Sequence, residues 1–226
     1  MKASAIIPAY NEEKSIEATI VALQQIDAIV EIIVVDDGSR DHTARRAVAA
    51  GATVVQLGTN VGKGGALTAG MREAHHDILC FVDADLGACA SEFTHLLPPV
   101  IHGEADMTIA LFPPATRRGG FGLVKGLAMY GIGKLSGFRP ASPLSGQRVL
   151  RRAVWEEARC PLGGFGVEVG LTVECVRNGF RLQEIPVCMT HRETGRDVRG
   201  FTHRGRQFYH LLYTLGQLWR MRRVKA

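Results

Sequence analysis

Short apolar runs alternate with helical stretches along the first half of the chain. Continuous runs rich in β-branched residues, such as EIIVVD at Glu31–Asp36, are typical of strands that are covered on both faces of a parallel sheet. The predicted strands are Ser4–Pro8, Glu31–Asp36, Thr53–Gln56 and Ile78–Asp83, and the predicted helices are Glu12–Gln25, His42–Ala50, Gly65–Ala74 and Ser91–Ile101. This alternation predicts right-handed βαβ units and an α/β fold with a mostly parallel central sheet flanked by helices.

The second half of the chain is less regular. The pattern there predicts helices at Phe121–Leu135, Glu168–Asn178 and Arg206–Met221, and strands at Ser145–Leu150 and Leu182–Val187. Pro113–Gly122 is rich in Pro, Gly and Arg, and we expect a mobile loop that serves as a lid or an acceptor loop. A chain of 226 residues without repeats or a low-complexity linker is expected to form a single domain, residues 1–226.

Composition narrows the class of protein. Hydrophobic residues make up 46% of the chain, which is enough for a full core. The five cysteines are odd in number and contain no C-x-x-C pair, so neither a zinc knuckle nor a disulfide framework is indicated. Reduced thiols fit a cytoplasmic protein. The N-terminus runs straight into a strand and no window has the apolar length of a spanning helix, so we expect neither a signal peptide nor a transmembrane helix.

The positive charge is concentrated at the C-terminal end. Val198–Ala226 contains seven basic and no acidic residues, which more than accounts for the net charge of +5. The basicity is therefore not that of a nucleic-acid-binding face, and we expect no nucleic-acid partner. The amphipathic segment Arg206–Lys225 could contact an anionic membrane surface, pack on its own domain, or join a homodimer. The chain is accordingly expected in the cytoplasm, with a peripheral position at the inner face of the membrane left open.

Four polar clusters follow the four early strands. They are Pro8-Ala9-Tyr10-Asn11-Glu12, Asp36-Asp37-Gly38-Ser39, Asn60-Val61-Gly62-Lys63-Gly64-Gly65 and Asp83-Ala84-Asp85. Each cluster alone could be an ordinary polar turn. However, the carboxyl ends of parallel strands meet at one edge of the sheet, and open α/β sheets bind their ligands there. The four clusters together therefore predict a binding site.

Two of these clusters indicate a phosphorylated ligand. Asp83 and Asp85 could converge on one hard cation, Mg²⁺ or Mn²⁺, which would offset the charge of a diphosphate. The glycine-rich segment around Lys63 could cradle a phosphate at a helix start. Neither the Walker A spacing nor a Rossmann G-x-G-x-x-G is present, which argues against P-loop and nicotinamide enzymes.

As a set, the motifs P-A-Y-N-E-E, V-V-D-D-G-S, N-V-G-K-G-G-A and D-A-D resemble those of the family-two glycosyltransferases, which have the GT-A, Rossmann-like nucleotide-diphospho-sugar transferase fold. The resemblance covers the N-terminal half well and the second half more loosely. Within the family, the chain is similar to the polyprenyl-phosphate (dolichyl-phosphate) sugar transferases. The stretch Gly164–Glu168, G-F-G-V-E, is also similar to one in the glucosyl-3-phosphoglycerate synthases.

The resemblance implies a metal-dependent hexosyltransferase with a nucleotide-sugar donor. The donor would be a UDP-hexose, in the first place UDP-glucose, and the acceptor a small or phosphorylated molecule. The residues implied to bind the nucleoside are Pro8, Ala9, Tyr10, Glu12, Asp37, Lys63, Asp83 and Ala84, which moves Lys63 from the phosphates to the nucleoside. Asp85 and His191 would ligate Mg²⁺ or Mn²⁺.

The implied catalytic residues are Asp85 and Glu168. Glu168 would contact the donor sugar or the acceptor, or act as a general base if the acceptor needs deprotonation. The segment Ser145-Gly146-Gln147-Arg148 resembles the one that ends the acceptor-side strand in both groups of the family, which implies donor or acceptor contacts for Gly146, Gln147 and Arg148. Arg148, Arg192 and Arg196 could bind the diphosphate or an anionic acceptor, because one guanidinium group can donate two hydrogen bonds to phosphate oxygens.

We expect the single domain to consist of a nucleotide-sugar-binding half at 1–110, an acceptor-side half at 111–203 and a basic amphipathic C-terminal helix at 204–226. Three alternatives stay open at this point. The acceptor could be a lipid phosphate at the membrane surface. The chain could be a sugar-phosphate nucleotidyltransferase, although that class usually has a G-x-G-T-R loop where this chain has Pro8–Asn11. It could also bind nucleotide sugars without turning them over.

Overall fold

The computed structural model of the chain describes residues 1–113, 123–158, 166–189 and 211–220. The strands are β1 (Ala3–Ala9), β2 (Ile29–Asp36), β3 (Thr53–Gln56), β4 (Ile78–Phe81), β5 (Met107–Leu111), β6 (Arg148–Arg151) and β7 (Leu182–Pro186). The helices are α1 (Ile16–Gln24), α2 (Thr43–Ala49), α3 (Gly62–Glu73), α4 (Phe93–Ile101), α5 (Leu123–Ser136), α6 (Arg152–Glu156), α7 (Val167–Arg177) and α8 (211–220), and a 3₁₀ turn spans Gly87–Glu92.

The seven described strands form one mixed sheet in the order β3-β2-β1-β4-β6-β5-β7. Strand β6 is antiparallel to both of its neighbours, and every other pair of adjacent strands is parallel. The predicted α/β fold with a mostly parallel sheet is therefore confirmed. Because β1 to β4 all run in the same direction, the polar clusters that follow them lie at one edge of the sheet.

Helices cover both faces of this sheet, as the continuous apolar strands predict. Successive residues of β1 alternate between two hydrophobic clusters, with Ala5 and Ile7 in one and Ile6 in the other. In the second cluster the ring of Phe81 meets Trp155 edge to face, with the ring centroids 5.2 Å apart. Both faces of the central strand are therefore buried, which fixes its register.

Two short elements were not predicted from the sequence. They are the strand β5 and the helix α6, which are five residues long each. Helix α6 begins directly after β6. The predicted fourth strand was also too long, because the chain leaves the sheet after Phe81 and the segment from Asp83 is already a loop. Short apolar runs of this kind carry too few residues to show a clear period.

The third hydrophobic cluster holds the last helix against its own chain. Leu211 and Leu218 of α8 are buried with Ala128 and Ile132 of α5 and with Val169 of α7. This is one of the arrangements that the amphipathic pattern of Arg206–Lys225 left open, and it accounts for the buried face of the helix. None of the described helices combines the length and hydrophobicity that crossing a bilayer requires.

Candidate functional site

A cavity of about 440 Å³ opens at the sheet edge where β1 to β4 end. It is lined by Pro8, Ala9, Tyr10, Glu12, Asp37, Lys63, Asp83, Ala84, Asp85, Val124, Leu144, Glu168 and Leu211. All eight residues that the resemblance implies for nucleoside binding are therefore brought together, along with both proposed catalytic residues. The volume lies within the range of small-molecule sites.

The first two loops of the site hold each other in place. Asn11 has a positive φ of 56°, a conformation that asparagine tolerates better than most residues. Its backbone N–H donates to Oγ of Ser39 at 2.9 Å, and its Oδ1 accepts from the N–H of Arg40 at 2.8 Å. These bonds fix the turn that places Tyr10, which is 47% exposed, at the rim of the cavity. An exposed ring there is available to stack on a planar base.

Asp37 caps helix α3 from a neighbouring loop. Its two carboxylate oxygens accept the backbone N–H groups of Val61 at 2.7 Å and Gly62 at 2.9 Å. Gly62 has a φ of 80°, which favours glycine at this helix start. Because these two N–H groups are already bound, they do not cradle a phosphate as the glycine-rich segment suggested. This agrees with the position of Lys63 beside the nucleoside residues.

Lys63 is the only basic residue among the described residues that line the cavity. Its Nζ lies 2.6 Å from Oδ1 of Asp83 and 2.9 Å from Oε1 of Glu168. Burial would lower the pKa of this ammonium, but the two adjacent carboxylates outweigh burial and hold the Lys63 pKa above its ordinary value. The ammonium therefore stays charged and screens the two carboxylates from each other.

Asp83 is fixed from the opposite side by Gln147. The Gln147 side chain donates from Nε2 to Oδ2 of Asp83 at 2.5 Å and accepts the Asp83 backbone N–H at 2.9 Å. Gln147 is fully buried and does not line the cavity. Its neighbour Gly146 lies so close that an added Cβ would be 2.7 Å from Oδ2 of Asp83. In this structure Gly146 and Gln147 lie against Asp83 and do not line the cavity, and their contacts with donor or acceptor stay predictions.

Arg148 is also buried, with 1% of its surface exposed, and does not line the cavity. Its guanidinium donates to the carbonyl of Ser145 at 3.0 Å and to Oγ1 of Thr172 on α7 at 2.9 Å. Burial lowers its pKa to about 10, still far above neutrality. The structure does not bring this guanidinium to the cavity, because the alternation along β6 points it into the layer between the sheet and α7.

Asp85 differs from Asp83 in its surroundings. Within the described residues, its half-buried carboxylate has no hydrogen-bond or ion-pair partner, although it lines the cavity. A hard-oxygen group of this kind fits a divalent cation, with further ligands supplied by phosphate oxygens. No cluster of three or more His, Cys, Asp or Glu side chains suited to a metal occurs in the described part of the chain. A metal here would therefore depend on the ligand or on residues beyond that part.

Three of the predicted site residues lie outside the described residues. They are His191, Arg192 and Arg196. The chain is described up to Met189 and again from Leu211, which lines the cavity. The roles of these three residues, as metal ligand and anion contacts, stay predictions.

Sequence reasoning missed the apolar side of the cavity. Val124 of α5, Leu144 and Leu211 of α8 line it. Aliphatic residues carry no chemical signature, and only the packing of α5 and α8 beside the sheet edge reveals them. Glu168, in the first turn of α7, lines the same cavity and contacts Lys63.

Solved structures place this architecture in a known class. Glucosyl-3-phosphoglycerate synthase from Mycobacterium tuberculosis, in complex with Mn²⁺, UDP-glucose and phosphoglyceric acid, matches with a TM-score of 0.79 at 27% identity, over 95% of this chain and 78% of that one. The chain therefore has the GT-A glycosyltransferase fold. Its residues 4–125 match the family model described as Glycosyl transferase family 2, and the chain belongs to this family.

Two curated relatives illustrate the range within the family. The same synthase is 31% identical over 196 residues, which cover 76% of this chain and 60% of that protein. The undecaprenyl-phosphate 4-deoxy-4-formamido-L-arabinose transferase of Pectobacterium carotovorum is 37% identical over 110 residues, 44% of this chain and 34% of that protein. The chain thus spans about 60% of the length of the first of these relatives.

Proposed function

We propose that the protein is a metal-dependent glycosyltransferase that transfers a hexose, glucose from UDP-glucose, to a small phosphorylated acceptor. The observation that carries this proposal is the convergence of Tyr10, Asp37, Lys63, Asp83 and Asp85 in one cavity at the sheet edge. The relative with the matching fold binds UDP-glucose, Mn²⁺ and phosphoglyceric acid. A nucleotidyltransferase is disfavoured, because the loop after β1 carries no glycine-rich phosphate motif.

The charges in the cavity argue for the metal. Its described lining has one ammonium and five carboxylates, those of Glu12, Asp37, Asp83, Asp85 and Glu168. A diphosphate would be repelled by such a surface unless a cation accompanied it. Asp85 is the carboxylate proposed to hold Mg²⁺ or Mn²⁺, with His191 as the second protein ligand. When bound, the metal would offset the negative charge on the departing diphosphate.

The other side chains of the cavity are proposed to bind the nucleoside, the sugar and the acceptor. Tyr10 and Asp37 would hold the nucleoside, and Lys63 would lie beside it with Asp83 at the ribose. Glu168 has Oε1 engaged by Lys63 at 2.9 Å, which leaves its Oε2 to accept a hydrogen bond from a hydroxyl of the sugar or the acceptor. We propose that Glu168 orients that hydroxyl, and acts as its base if the acceptor is an alcohol.

A lipid phosphate is the second candidate acceptor, and specific observations favour it. Val124, Leu144 and Leu211 give the cavity an apolar side. Beyond it, α5 and α8 expose Tyr130 and Trp219 at 65% and 49%, and neither helix contains an acidic residue. Exposed aromatic side chains without negative charge are typical of surfaces that contact anionic membranes. A curated relative is named for transfer to undecaprenyl phosphate.

A donor-release assay tests the proposal. The protein is incubated with UDP-glucose, UDP-galactose, GDP-mannose or GDP-glucose, with Mn²⁺ or with EDTA, and the released nucleotide is measured. Each donor is tested with phosphoglyceric acid and, separately, with a short-chain polyprenyl phosphate in detergent. We expect release of UDP from UDP-glucose, and we expect EDTA to abolish it. The acceptor that accelerates this release shows whether the protein transfers to a small phosphorylated molecule or to a lipid phosphate. If no donor releases its nucleotide, and calorimetry finds no binding of any of these donors in the presence of Mn²⁺, the proposed function is wrong.

A further inference from the structure

The side chain of Gln147 makes both of its amide bonds to a single residue of the site. Its Oε1 accepts the backbone N–H of Asp83 at 2.9 Å, and its Nε2 donates to Oδ2 of the same aspartate at 2.5 Å. Together the two bonds fix the backbone and the carboxylate of Asp83 relative to each other. They also determine the orientation of the amide, because the reverse orientation would place a donor against the N–H and an acceptor against the carboxylate.

This contact joins two parts of the sheet that are distant in sequence. Asp83 follows the parallel strand β4, and Gln147 directly precedes the antiparallel strand β6, which pairs with β4. Gln147 is fully buried, so no solvent competes for the amide. Asp83 by contrast lines the cavity, and its other carboxylate oxygen is bound by Lys63 at 2.6 Å. Oδ2 of Asp83 is thus held by the buried Gln147, and Oδ1 is held by Lys63, which lines the cavity.

The absence of a side chain at Gly146 allows the segment before β6 to lie this close to Asp83. A Cβ at this position would lie 2.7 Å from Oδ2 and 2.9 Å from Oδ1 of Asp83, closer than real Cβ atoms approach such atoms. It would also collide with Nζ of Lys63. Any side chain here would therefore displace the lysine or the aspartate. The same segment continues into Arg148, whose bond to Thr172 holds the helix that carries Glu168.

We propose that Gln147 is a positioning residue for the nucleotide-sugar site, which holds the Asp83 carboxylate in the orientation that binds the donor. The inference rests on the proposed function, because it takes the cavity to be a nucleotide site. It assigns no contact between Gln147 and the ligand. A residue of this kind should change donor affinity through Asp83, and a variant that exchanges the donor and the acceptor between the two residues should restore part of that affinity.

Gln147→Glu tests this link with almost no change of shape. The substitution replaces the donating NH₂ by an oxygen, so two carboxylates then face each other where Nε2 and Oδ2 are now 2.5 Å apart. Two carboxylates that face each other at this distance repel, which displaces Asp83. Adding Asp83→Asn exchanges the donor and the acceptor, because the amide then at position 83 can donate to the carboxylate then at position 147. Gln147→Met removes the bond without adding a charge.

The experiment measures the binding of UDP with Mn²⁺ by calorimetry at pH 8 for the wild type, both Gln147 variants, Asp83→Asn, and the double variant that combines Gln147→Glu with Asp83→Asn. We expect Gln147→Glu to weaken binding at least tenfold and Gln147→Met to weaken it at least threefold. The double variant should bind at least threefold more tightly than the product of the two single losses predicts. Gln183→Glu, the same change at an exposed position on β7, should bind as the wild type.

The possible outcomes separate the inference from the proposed function. If the wild type binds UDP and Gln147→Glu binds it equally well at pH 8, the positioning role is wrong. If the losses caused by Gln147→Glu and Asp83→Asn simply multiply in the double variant, the two residues do not act through each other and the role is again wrong. Thermal unfolding confirms that each variant is folded. If Gln147→Glu is not folded, wild-type affinity in Gln147→Met contradicts the role. Failure of the wild type to bind any nucleotide would instead contradict the proposed function.

Discussion

The ammonium nitrogen of Lys63 lies 2.9 Å from Oε1 of Glu168. Lys63 stands in the first turn of α3, in the predicted nucleotide-binding half, and Glu168 stands in the first turn of α7, in the predicted acceptor-side half. The ion pair therefore links the two sides of the cavity. Because Asp83 is bound by the same nitrogen, one lysine sets the spacing of two carboxylates in the site.

Lys63→Met is expected to disrupt both sides of the cavity at once. Removing the ammonium takes one hydrogen-bond partner from each of the carboxylates of Asp83 and Glu168, and an unfilled hydrogen-bonding position on a partly buried charged group costs about 1–3 kcal/mol. We expect UDP affinity with Mn²⁺ to fall at least tenfold in calorimetry, with a lower melting temperature. Lys2→Met, at an exposed position, is the control. Unchanged UDP affinity in the Lys63 variant would contradict the proposed role of this lysine.

Asp85→Ala should separate metal binding from folding. Because the Asp85 carboxylate has no partner within the described residues, its loss breaks no hydrogen bond or ion pair there, and the melting temperature should stay within about 2 °C of the wild type. Mn²⁺-dependent UDP binding and donor turnover should be lost, whereas uridine, which has no diphosphate, should bind both proteins alike. Asp27→Ala, an exposed aspartate, serves as control. Wild-type turnover in the Asp85 variant would show that the metal is held elsewhere.

The nucleotide side of this site could be predicted from the sequence because of topology. Polar residues that follow parallel strands must meet at one edge, so Tyr10, Asp37 and Asp83 could be grouped without knowing any contact. Continuous apolar runs between Ala3 and Phe81 gave the strands, and their bounds were correct to within a few residues. The pattern here is strong because each strand is buried on both faces.

The other side of the cavity could not be derived in the same way. Leu144 and Leu211 line it through long-range packing, for which neither residue carries a local signal. Gln147 and Arg148 are adjacent polar residues on a strand entry, and the sequence suggested that both meet the ligand. Their side chains bind Asp83 and Thr172 instead. Both residues are buried because β6 lies inside the sheet, antiparallel to β4 and β5, and the sequence did not indicate these strand partners.

Acid should weaken the fold through Asp106. The guanidinium of Arg181 donates to this carboxylate at 3.0 and 3.1 Å, and these bonds lower the pKa of Asp106 from 3.8 to about 2 despite its burial. A carboxyl whose pKa is depressed on folding stabilises the protein above its unfolded pKa, and this contribution is lost as pH falls through 3.8 towards 2. Arg151 is a second partner of this carboxylate, and the side chains of Arg151 and Arg181 are 56% and 55% exposed. Because solvent screens both pairs, we expect a contribution of about 1–2 kcal/mol at pH 7.

The variant Asp106→Asn measures this contribution. Urea unfolding of the variant and the wild type is compared between pH 7 and pH 2.5, with Asp27→Asn as the exposed control. The difference in the free energy of unfolding should be largest at pH 7 and should shrink as the wild-type carboxyl takes up its proton. A difference that stays constant over this range would show that the effect of the substitution does not depend on the charge of Asp106.

The docking of α8 should depend on the absence of a side chain at Gly166. This residue precedes α7 with a φ of −93°, so alanine is compatible with its backbone. However, a Cβ there would lie 2.7 Å from Cβ of Thr214, a residue of α8 that is 2% exposed. Gly166→Ala should therefore push α8 away from α7 and open the cavity beside Leu211, at a cost of about 1–3 kcal/mol in unfolding free energy.

Gly126→Ala on α5 is the matched control, because a Cβ at that position meets no atom within 4 Å. In a helix interior this change should stabilise the protein by up to about 1 kcal/mol. Limited proteolysis followed by mass spectrometry should show faster cleavage between Met189 and the C-terminus in Gly166→Ala alone. Because Leu211 lines the apolar side of the cavity, the same variant should raise the KM for the acceptor more than the KM for UDP-glucose. Equal proteolysis of the two variants would mean that α8 tolerates the added methyl group, and that its packing does not set the shape of the acceptor side.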